Sequence, residues 1–127
     1  MSLRGTRYNP FMPSRSRNAL LSAAIDAAPV CVFVADGEMR YRAVNAYACE
    51  LLGYSEEELL DMRVTDVATY DEAPQEYSAL VESAYLRGLS RLRSKDGEEL
   101  LLNYVAGELE VDGETLYVSV GQAEFLD

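Results

Sequence analysis

The fold is decided by the stretch Leu89–Gln122, which reads LSRLRSKDGEELLLNYVAGELEVDGETLYVSVGQ. It holds three apolar runs of strand length, separated by Asp96-Gly97 and Asp112-Gly113. Asp-Gly between runs of alternating apolar residues is the strongest short-range signal for a β-hairpin. The stretch therefore predicts three antiparallel strands in a meander.

The side-chain pattern also predicts the register of the first hairpin, because residues paired across two strands point to the same face of a sheet. A three-residue turn at Lys95–Gly97, with Gly97 in the left-handed conformation, places Leu92 opposite Leu100. A two-residue turn would instead set an arginine against that leucine. The apolar pattern therefore favours the longer turn.

The same turn length, applied to Val111–Gly113 with Gly113 as its last residue, pairs Tyr104 with Val120 in the second hairpin. One face of the meander then becomes continuously apolar, and we expect it to be buried. The residues on this predicted face are Leu92, Leu100, Leu102, Tyr104, Leu116, Val118 and Val120.

Composition narrows the classes of function. The 127 residues include 22 acidic and 11 basic side chains, for a formal net charge of −11. A chain of this charge repels phosphate backbones and anionic lipid headgroups, so we expect neither nucleic acid nor a membrane as a direct partner. No apolar run approaches the length of a membrane span and no signal peptide opens the chain, which predicts a cytoplasmic location.

Histidine is absent from the sequence. Its absence removes the commonest general base and the usual axial ligand of haem iron, so His-ligated haem is excluded. Cys31 and Cys49 are too far apart for a zinc or redox motif and lie in apolar segments, which predicts buried, reduced thiols. No nucleophile–base pair, Gly-rich phosphate loop or metal-ligand spacing appears, and we expect that the protein is not an enzyme.

The N-terminal region divides into an arm and the start of one domain. Residues 1–17 are rich in Arg, Ser and Pro and lack periodicity, which predicts a flexible N-terminal arm ahead of a domain over residues 18–127. Asn18 is a suitable N-cap for a helix that runs through Ala27. The apolar run Val30–Ala35 then predicts a strand that is covered on both faces.

The middle of the chain predicts a second strand and several short helices. Asp36 opens a turn that leads to a partner strand ending at Val44. Asn45 is well placed as the N-cap of a helix over residues 46–52, and Gly53 supplies its left-handed stop. Ser55 begins a capping box for the next short helix.

A longer helix is predicted over residues 72–85, with Gly88 just beyond its end. Strands then bracket a helical insert, since the three strands of the meander follow this helix. Such an order predicts an α+β domain, in which one antiparallel sheet carries helices on one face.

Several short motifs occur in the order and spacing of a known family. They are Ala28-Pro29 before the first strand, Tyr41–Ala46 (YRAVNA), Leu51–Ser55 (LLGYS) with Glu58-Leu59, and Arg91–Gly97 (RLRSKDG). Through them the chain resembles a PAS domain over residues 18–122. The resemblance implies a five-stranded antiparallel sheet of order 2-1-5-4-3 with short helices packed on one face. It also implies a sensory or regulatory role in signal transduction, with an output domain or a partner signalling protein.

The resemblance places a pocket for a small molecule between the sheet and the helices. The candidate pocket residues are Phe33, Tyr47, Leu51, Val67, Tyr70, Tyr77, Leu80, Val81, Ala84, Leu92, Leu102, Tyr104, Val118 and Val120. The same side chains could equally fill the core without a ligand, as buried tyrosines often do.

The resemblance does not settle a cofactor. The light-sensing members use a cysteine in an Asn-Cys-Arg-Phe-Leu-Gln stretch soon after the Gly-Tyr pair, whereas residues 61–67 here read DMRVTDV and contain no thiol. A flavin adduct is therefore not expected. Haem held by Tyr, Met or Cys stays open, and the cofactor is unknown.

Two further groups of residues complete the prediction. The structural candidates are Asp36, Asn45, Gly53, Gly97 and Gly113, and the interface candidates are Leu21, Ile25, Leu101, Val105 and Tyr117. The interface candidates support an alternative function, a homodimerisation or protein-interaction module that needs no ligand. In it the N-terminal helix covers the outer face of the sheet, in its own subunit or in a partner.

Overall fold

The computed structural model describes residues 14–69 and 85–126, which form four helices and five strands. The helices are α1 (Ser14–Ala27), α2 (Ala46–Leu52), α3 (Glu56–Leu60) and α4 (Val64–Val67). The strands are β1 (Cys31–Ala35), β2 (Tyr41–Val44), β3 (Tyr85–Arg93), β4 (Glu99–Val111) and β5 (Glu114–Phe125). The predicted arm up to residue 13, and the predicted helix up to residue 84, lie outside the described residues.

The five strands form one antiparallel sheet in the order β2-β1-β5-β4-β3. This arrangement confirms the predicted α+β class and the strand order that the resemblance implied. Helices α2, α3 and α4 cover one face of the sheet, here called the inner face; the opposite side is the outer face. The buried cluster between sheet and helices includes Cys31, Phe33, Leu92, Leu100, Leu102, Tyr104 and Ala106 from the strands and Ala48, Leu52, Leu59 and Val67 from the helices.

The hairpin between β3 and β4 has the predicted three-residue turn. The backbone N–H of Ser94 donates a 2.8 Å hydrogen bond to Glu98 O across the turn. Gly97 has a φ of 89°, the left-handed conformation that the turn requires. Leu92 lies opposite Leu100, so the predicted register of this hairpin is confirmed.

The hairpin between β4 and β5 has a two-residue turn, and its predicted register was wrong by one residue. Asp112 and Gly113 have φ values of 52° and 80°, as in a type I′ turn, whose twist matches that of the flanking strands. Tyr104 consequently lies opposite Gly121 instead of Val120. The shift moves every side chain of β5 to the opposite face of the sheet from the one predicted.

Strand β3 begins earlier than the sequence predicted. It starts at Tyr85, which had been placed in the preceding helix, and Gly88 lies inside the strand instead of capping a helix. Gly88 pairs with Tyr104 of β4. Pairing along the full length of β4 therefore outweighs the local signal of a glycine that follows an apolar stripe.

The predicted capping residues of the short helices α2 and α3 are confirmed, but that of α1 is not. Asn45 caps α2 through its side chain, and Gly53 ends that helix with a φ of 77°. Ser55 and Glu58 form both hydrogen bonds of the capping box of α3. Asn18 is not an N-cap, because α1 already includes Ser14, and four residues assigned to the flexible arm are helical.

Residues 62–69 tie both edges of the sheet to the helical layer. The N–H of Tyr41 in β2 donates to Met62 O at 3.2 Å. At the other edge the N–H of Thr69 donates to Arg91 O of β3 at 2.8 Å. Val67, between these two contacts, is fully buried. Within the described part of the chain, no helix is long and apolar enough to cross a membrane.

Candidate functional site

The inner face of the sheet is the best candidate for a ligand site, because apolar side chains from all five strands and from three helices meet there. Leu92, Leu102 and Tyr104 are all buried on this face. Val67 of α4 packs in the same cluster. The face therefore offers an apolar wall of the kind that encloses small molecules in proteins.

A gap in the side chains of this wall lies on β3. Gly88 pairs with Tyr104, and Ser90, two residues further along β3, pairs with Leu102. Because Gly88 has no side chain, nothing projects from β3 onto the inner face directly opposite the Tyr104 ring. Ser90 is buried next to this position and brings a hydroxyl to an otherwise apolar surface. At Gly88 and Ser90, β3 therefore contributes one hydroxyl and no large side chain to the inner face.

The predicted pocket residues fall into three groups. Phe33, Val67, Leu92, Leu102 and Tyr104 are buried together, and Tyr47 and Leu51 pack against them while partly exposed. Tyr70, Tyr77, Leu80, Val81 and Ala84 lie outside the described residues. Val118 and Val120 lie on the outer face, and their assignment to the pocket was wrong because the second hairpin has the shorter turn.

The register of β5 brings other residues to the inner face. Tyr117, Ser119 and Gly121 pair with Ala35, Phe33 and Cys31 of β1. Tyr117 is buried, so its assignment to an outer interface was wrong for the same reason. Asp112-Gly113 is compatible with these positions, because Asp-Gly is among the preferred pairs for a two-residue type I′ turn. The pair does not fix the turn length, since Asp96-Gly97 lies in a three-residue turn.

The reactive side chains of the core are held in their protonated forms. Burial raises the pKa of the Cys31 thiol to about 11, so the thiol is not a nucleophile at neutral pH. Burial, and then the nearby Asp66 carboxylate, raise the pKa of the Tyr41 hydroxyl. Among the described residues no group of three or more His, Cys, Asp or Glu side chains could hold a metal ion. Cys31 and Tyr41 therefore contribute packing to the buried cluster.

Asn45 uses its whole hydrogen-bonding capacity inside the fold. Its side-chain oxygen accepts from Val32 N at 3.0 Å and Ala48 N at 3.2 Å. Its side-chain nitrogen donates to Ile25 O at 2.8 Å and Val30 O at 2.9 Å. An amide has two donors and two acceptor positions, and all four are occupied. Asn45 therefore joins α1, β1 and α2, and its predicted structural role is confirmed.

Asp36 organises the connection between β1 and β2, as predicted. Its Oδ1 atom accepts from Glu38 N at 2.9 Å and from Arg40 N at 3.0 Å. The left-handed residue of this connection is Met39, with a φ of 68°, and not the glycine of the Asp-Gly pair. Asp36 thus shapes a connection whose left-handed residue, Met39, lies three residues later.

A surface pocket of about 240 Å³, not predicted from the sequence, lies beside β2 and α3. It is lined by Arg40, Leu60, Asp61, Met62 and Arg63. Its lining combines two guanidinium groups with a carboxylate, and it is open to solvent. Of its lining residues, Met62 also packs against the buried cluster of the inner face.

The outer face carries a broad apolar surface that α1 does not cover. Val120 is 41% exposed and Val105 is 37% exposed. On α1, Leu20 and Leu21 are 59% and 57% exposed, and Ile25 is also exposed. Leu101, another interface candidate, is partly buried on the same face. Both surfaces therefore remain available to a partner.

The outer face divides into two halves of different character. The valine half, on β1 and β5, consists of Val32, Val34, Val118 and Val120. The arginine half, on β3 and β4, consists of Arg87, Leu89, Arg91, Arg93, Leu101 and Val105. The two halves meet where Val105 pairs with Val120.

Comparison with known proteins identifies the family. The family model described as "PAS domain" matches residues 19–87, which is more than half of the chain. This chain belongs to the PAS domain family. A search of curated proteins found no match.

Solved PAS domains share the fold over most of the chain. A PAS domain from a two-component sensor histidine kinase superimposes with a TM-score of 0.80 at 20% identity, covering 88% of this chain and 100% of that one. The PAS domain of an HTR-like protein from Haloarcula marismortui gives 0.76 at 16% identity, covering 87% and 93%. The PAS domain of nitrogen regulation protein NR(II) from Vibrio parahaemolyticus gives 0.69 at 14% identity, covering 84% and 98%. At these identities the likeness establishes the fold.

Proposed function

We propose that this PAS domain is a non-enzymatic sensor that binds a small, mostly apolar molecule against the inner face. The single observation that supports it best is the gap at Gly88, opposite Tyr104 and beside the buried Ser90. An apolar wall that carries the Ser90 hydroxyl favours an apolar ligand that has a hydrogen-bonding end.

Binding would be transmitted through the contacts that surround the wall. Residues 62–69 are hydrogen-bonded to both sheet edges and bury Val67 in the same cluster. A ligand that shifts Val67 would therefore act on both edges of the sheet at once, and a partner surface could read the change. This route fits a signalling domain that is attached to an output domain or a partner protein.

The sensor proposal is tested by filling the gap. Native mass spectrometry of freshly purified protein should show a bound mass in the wild type and none in Gly88→Val. Thermal unfolding with a panel of fatty acids and aromatic alcohols should give a ligand that stabilises the wild type by about 2.7 kcal/mol at 100 times its Kd. Gly88→Val should lose this stabilisation.

The matched control is Gly37→Val, because an added side chain at Gly37 meets no atom within 4 Å. It should keep the bound mass and the ligand response. If neither the wild type nor the control shows a bound mass or responds to any compound, the domain works without a ligand and the sensor proposal is wrong.

We also propose that the domain forms a homodimer, with α1 of one copy covering the valine half of another. The exposed Leu20 and Leu21 on α1, and the exposed Val120 on β5, support this second function. Light scattering should give about twice the 14.1 kDa mass of one chain for the wild type. The double variant Leu20→Ser/Leu21→Ser should give the monomer mass, while Leu60→Ser, an exposed leucine on α3, should not change it.

A further inference from the structure

A row of arginines follows the outer face of the edge strand β3. Arg87, Arg91 and Arg93 are spaced by even numbers of residues, so their side chains lie on one face of the sheet. All three are exposed. The chain has only 11 basic residues against 22 acidic ones, and three of those basic residues share this single row.

The positive charge of this row is only partly balanced. Glu99 lies 3.9 Å from Arg91 and 4.0 Å from Arg93, so one carboxylate serves two guanidinium groups at long range. Within the described residues, no carboxylate lies within 4.0 Å of the Arg87 guanidinium. Glu124 pairs with Leu101 and is a further acidic residue on the same face. Counting the described residues alone, the row therefore keeps a surplus of positive charge on an acidic protein.

An exposed apolar track runs beside the arginines. Leu89, between Arg87 and Arg91 in the row, is 53% exposed. Leu101 and Val105 pair with Arg91 and Arg87 and continue the track onto β4. Leu89 thus lies within the arginine row, and Asn103 separates Leu101 from Val105 on β4. A partner would meet basic and apolar side chains together.

The backbone contacts that β3 already makes indicate which secondary structure a partner would have. At Arg91 the free edge of β3 is occupied, because Thr69 N donates to Arg91 O and Ala68 pairs with Leu92. A partner strand cannot add to the sheet there. What remains open is the face of the sheet, and open sheet faces are commonly covered by helices.

Helix α1 of a second copy is a poor match for this half of the outer face. Its segment Ser14–Ala27 contains two arginines and a single acid, Asp26. The Asp26 carboxylate already accepts a 3.1 Å hydrogen bond from Ala46 N. Like charges would oppose α1 on the arginine half, whereas the valine half carries no such charge.

We propose that the arginine half binds an acidic amphipathic helix of a partner protein. Leucine-type side chains of that helix pack on Leu89, Leu101 and Val105, while its Asp and Glu side chains pair with the arginine row. This inference rests on the interaction function proposed for the outer face and names the chemistry of the partner. It leaves the valine half to the homodimer.

The test uses two fluorescent peptides of about 18 residues, a length that supports a helix. Both carry leucines at helical spacing; one carries glutamates along one flank and the other carries lysines at those positions. Fluorescence anisotropy with the full chain should show saturable binding of the glutamate peptide, and at least tenfold weaker binding of the lysine peptide. Equal binding of the two peptides, or no binding of the glutamate peptide, overturns the inference.

Arginine dependence is tested with a matched pair of double variants. Arg87→Glu/Arg91→Glu should weaken binding of the glutamate peptide by about tenfold or more, because each exposed ion pair contributes about two- to fivefold and reversal adds repulsion. Arg40→Glu/Arg63→Glu makes the same change of charge away from the outer face and should bind like the wild type. Equal weakening by both pairs indicates a non-specific charge effect and overturns the inference.

The remaining probes separate the apolar from the ionic contribution. Leu89→Ser should weaken binding several-fold, while Leu60→Ser should not change it. Poly-glutamate and a single-stranded oligonucleotide should compete poorly, because neither offers a leucine stripe; effective competition by either would show a simple anion site instead. Light scattering on the same samples distinguishes this inference from the homodimer proposal. If the protein is a dimer but does not bind the glutamate peptide, only this inference is refuted.

Discussion

The two hairpins of the sheet have nearly the same sequence signal and different turns. Both carry Asp-Gly between apolar runs, yet the first has three turn residues and the second has two. In the first, Gly97 alone is left-handed; in the second, both Asp112 and Gly113 are. The single residue of difference decides which side of β5 faces the helices.

The difference teaches that an alternating apolar pattern does not fix the register of a strand when both of its faces are apolar. On β5 the even positions carry Leu116, Val118 and Val120, which looked like the buried side. The structure buries Tyr117 beneath the helices and leaves Val120 exposed. The choice follows the turn, whose geometry is local, rather than the hydrophobicity of the strand.

The strongest way to test the register of the second hairpin is to enlarge Gly121. A Cβ atom there would lie 2.8 Å from the Tyr104 Cα atom, and backbone atoms of β4 cannot move aside without disturbing the sheet. We expect Gly121→Ala to lower the free energy of unfolding by about 3 kcal/mol, measured by urea denaturation followed by circular dichroism. Gly37→Ala, which has open space around it, should change stability by less than about 0.5 kcal/mol. A Gly121→Ala variant as stable as this control would contradict the close approach of β4 and β5.

A second test compares two residues that the sequence had placed on the same buried face. Leu100 is fully buried, whereas Val120 is 41% exposed on the outer face. We expect Leu100→Ala to cost about 3 kcal/mol in the free energy of unfolding. Val120→Ala should cost less than about 1 kcal/mol in the monomer, measured at a concentration where light scattering shows one chain. Similar costs for the two variants would restore the register that the sequence predicted.

Local signals in the sequence were sufficient for most of the fold. The N-cap at Asn45, the stop at Gly53 and the capping box at Ser55 each depend on a few neighbouring residues, and all were predicted. The first hairpin was also predicted, since a two-residue turn there would have buried arginines. The family resemblance supplied the strand order, which no local signal contains.

The parts that could not be predicted depend on contacts distant in sequence. The helical reading of Tyr85 failed because β4 is long enough to pair with it. The prediction placed Val118 and Val120 in the pocket because its register for the second hairpin was wrong by one residue. The same error kept Tyr117 and Gly121 out of the predicted inner face. For the candidate ligand site, the sequence identified the strands that form the wall but not the gap at Gly88, because that gap depends on the pairing of Gly88 with Tyr104.

Substitution of the turn glycines should have a smaller effect on stability. This effect distinguishes the two hairpins from the connection between β1 and β2. Gly97 and Gly113 have positive φ values of 89° and 80°, which a side chain disfavours. We expect Gly97→Ala and Gly113→Ala each to lower the free energy of unfolding by about 1 kcal/mol. Gly37→Ala should leave the urea midpoint almost unchanged, since its φ is not positive. Equal values for all three would mean that the left-handed turns do not set the register.

The smallest expected effect concerns the contacts that hold the turn between β3 and β4, here called the first turn. The N–H of Lys95 donates to Leu52 O at 2.8 Å, and Lys95 Nζ lies 2.7 Å from Glu58 Oε2, so the turn is tied to both α2 and α3. The hydrogen bond from Lys95, and then the one from the Ser55 backbone, lower the pKa of Glu58 from its ordinary value of 4.5. A lowered pKa stabilises the folded state at pH values above 4.5, and this stabilisation is lost as the pH falls through the folded-state pKa.

The urea midpoint of Glu58→Gln should therefore lie slightly below that of the wild type at pH 7, and the two should converge in acid. Glu57→Gln, which removes a charge from the same helical turn without touching Lys95, should not reproduce this pH dependence. A gap between wild type and Glu58→Gln that persists unchanged into acid would assign the effect to the capping box alone. The first turn would then be held by its backbone contact to α2, as a hairpin with the correct register but no ionic anchor.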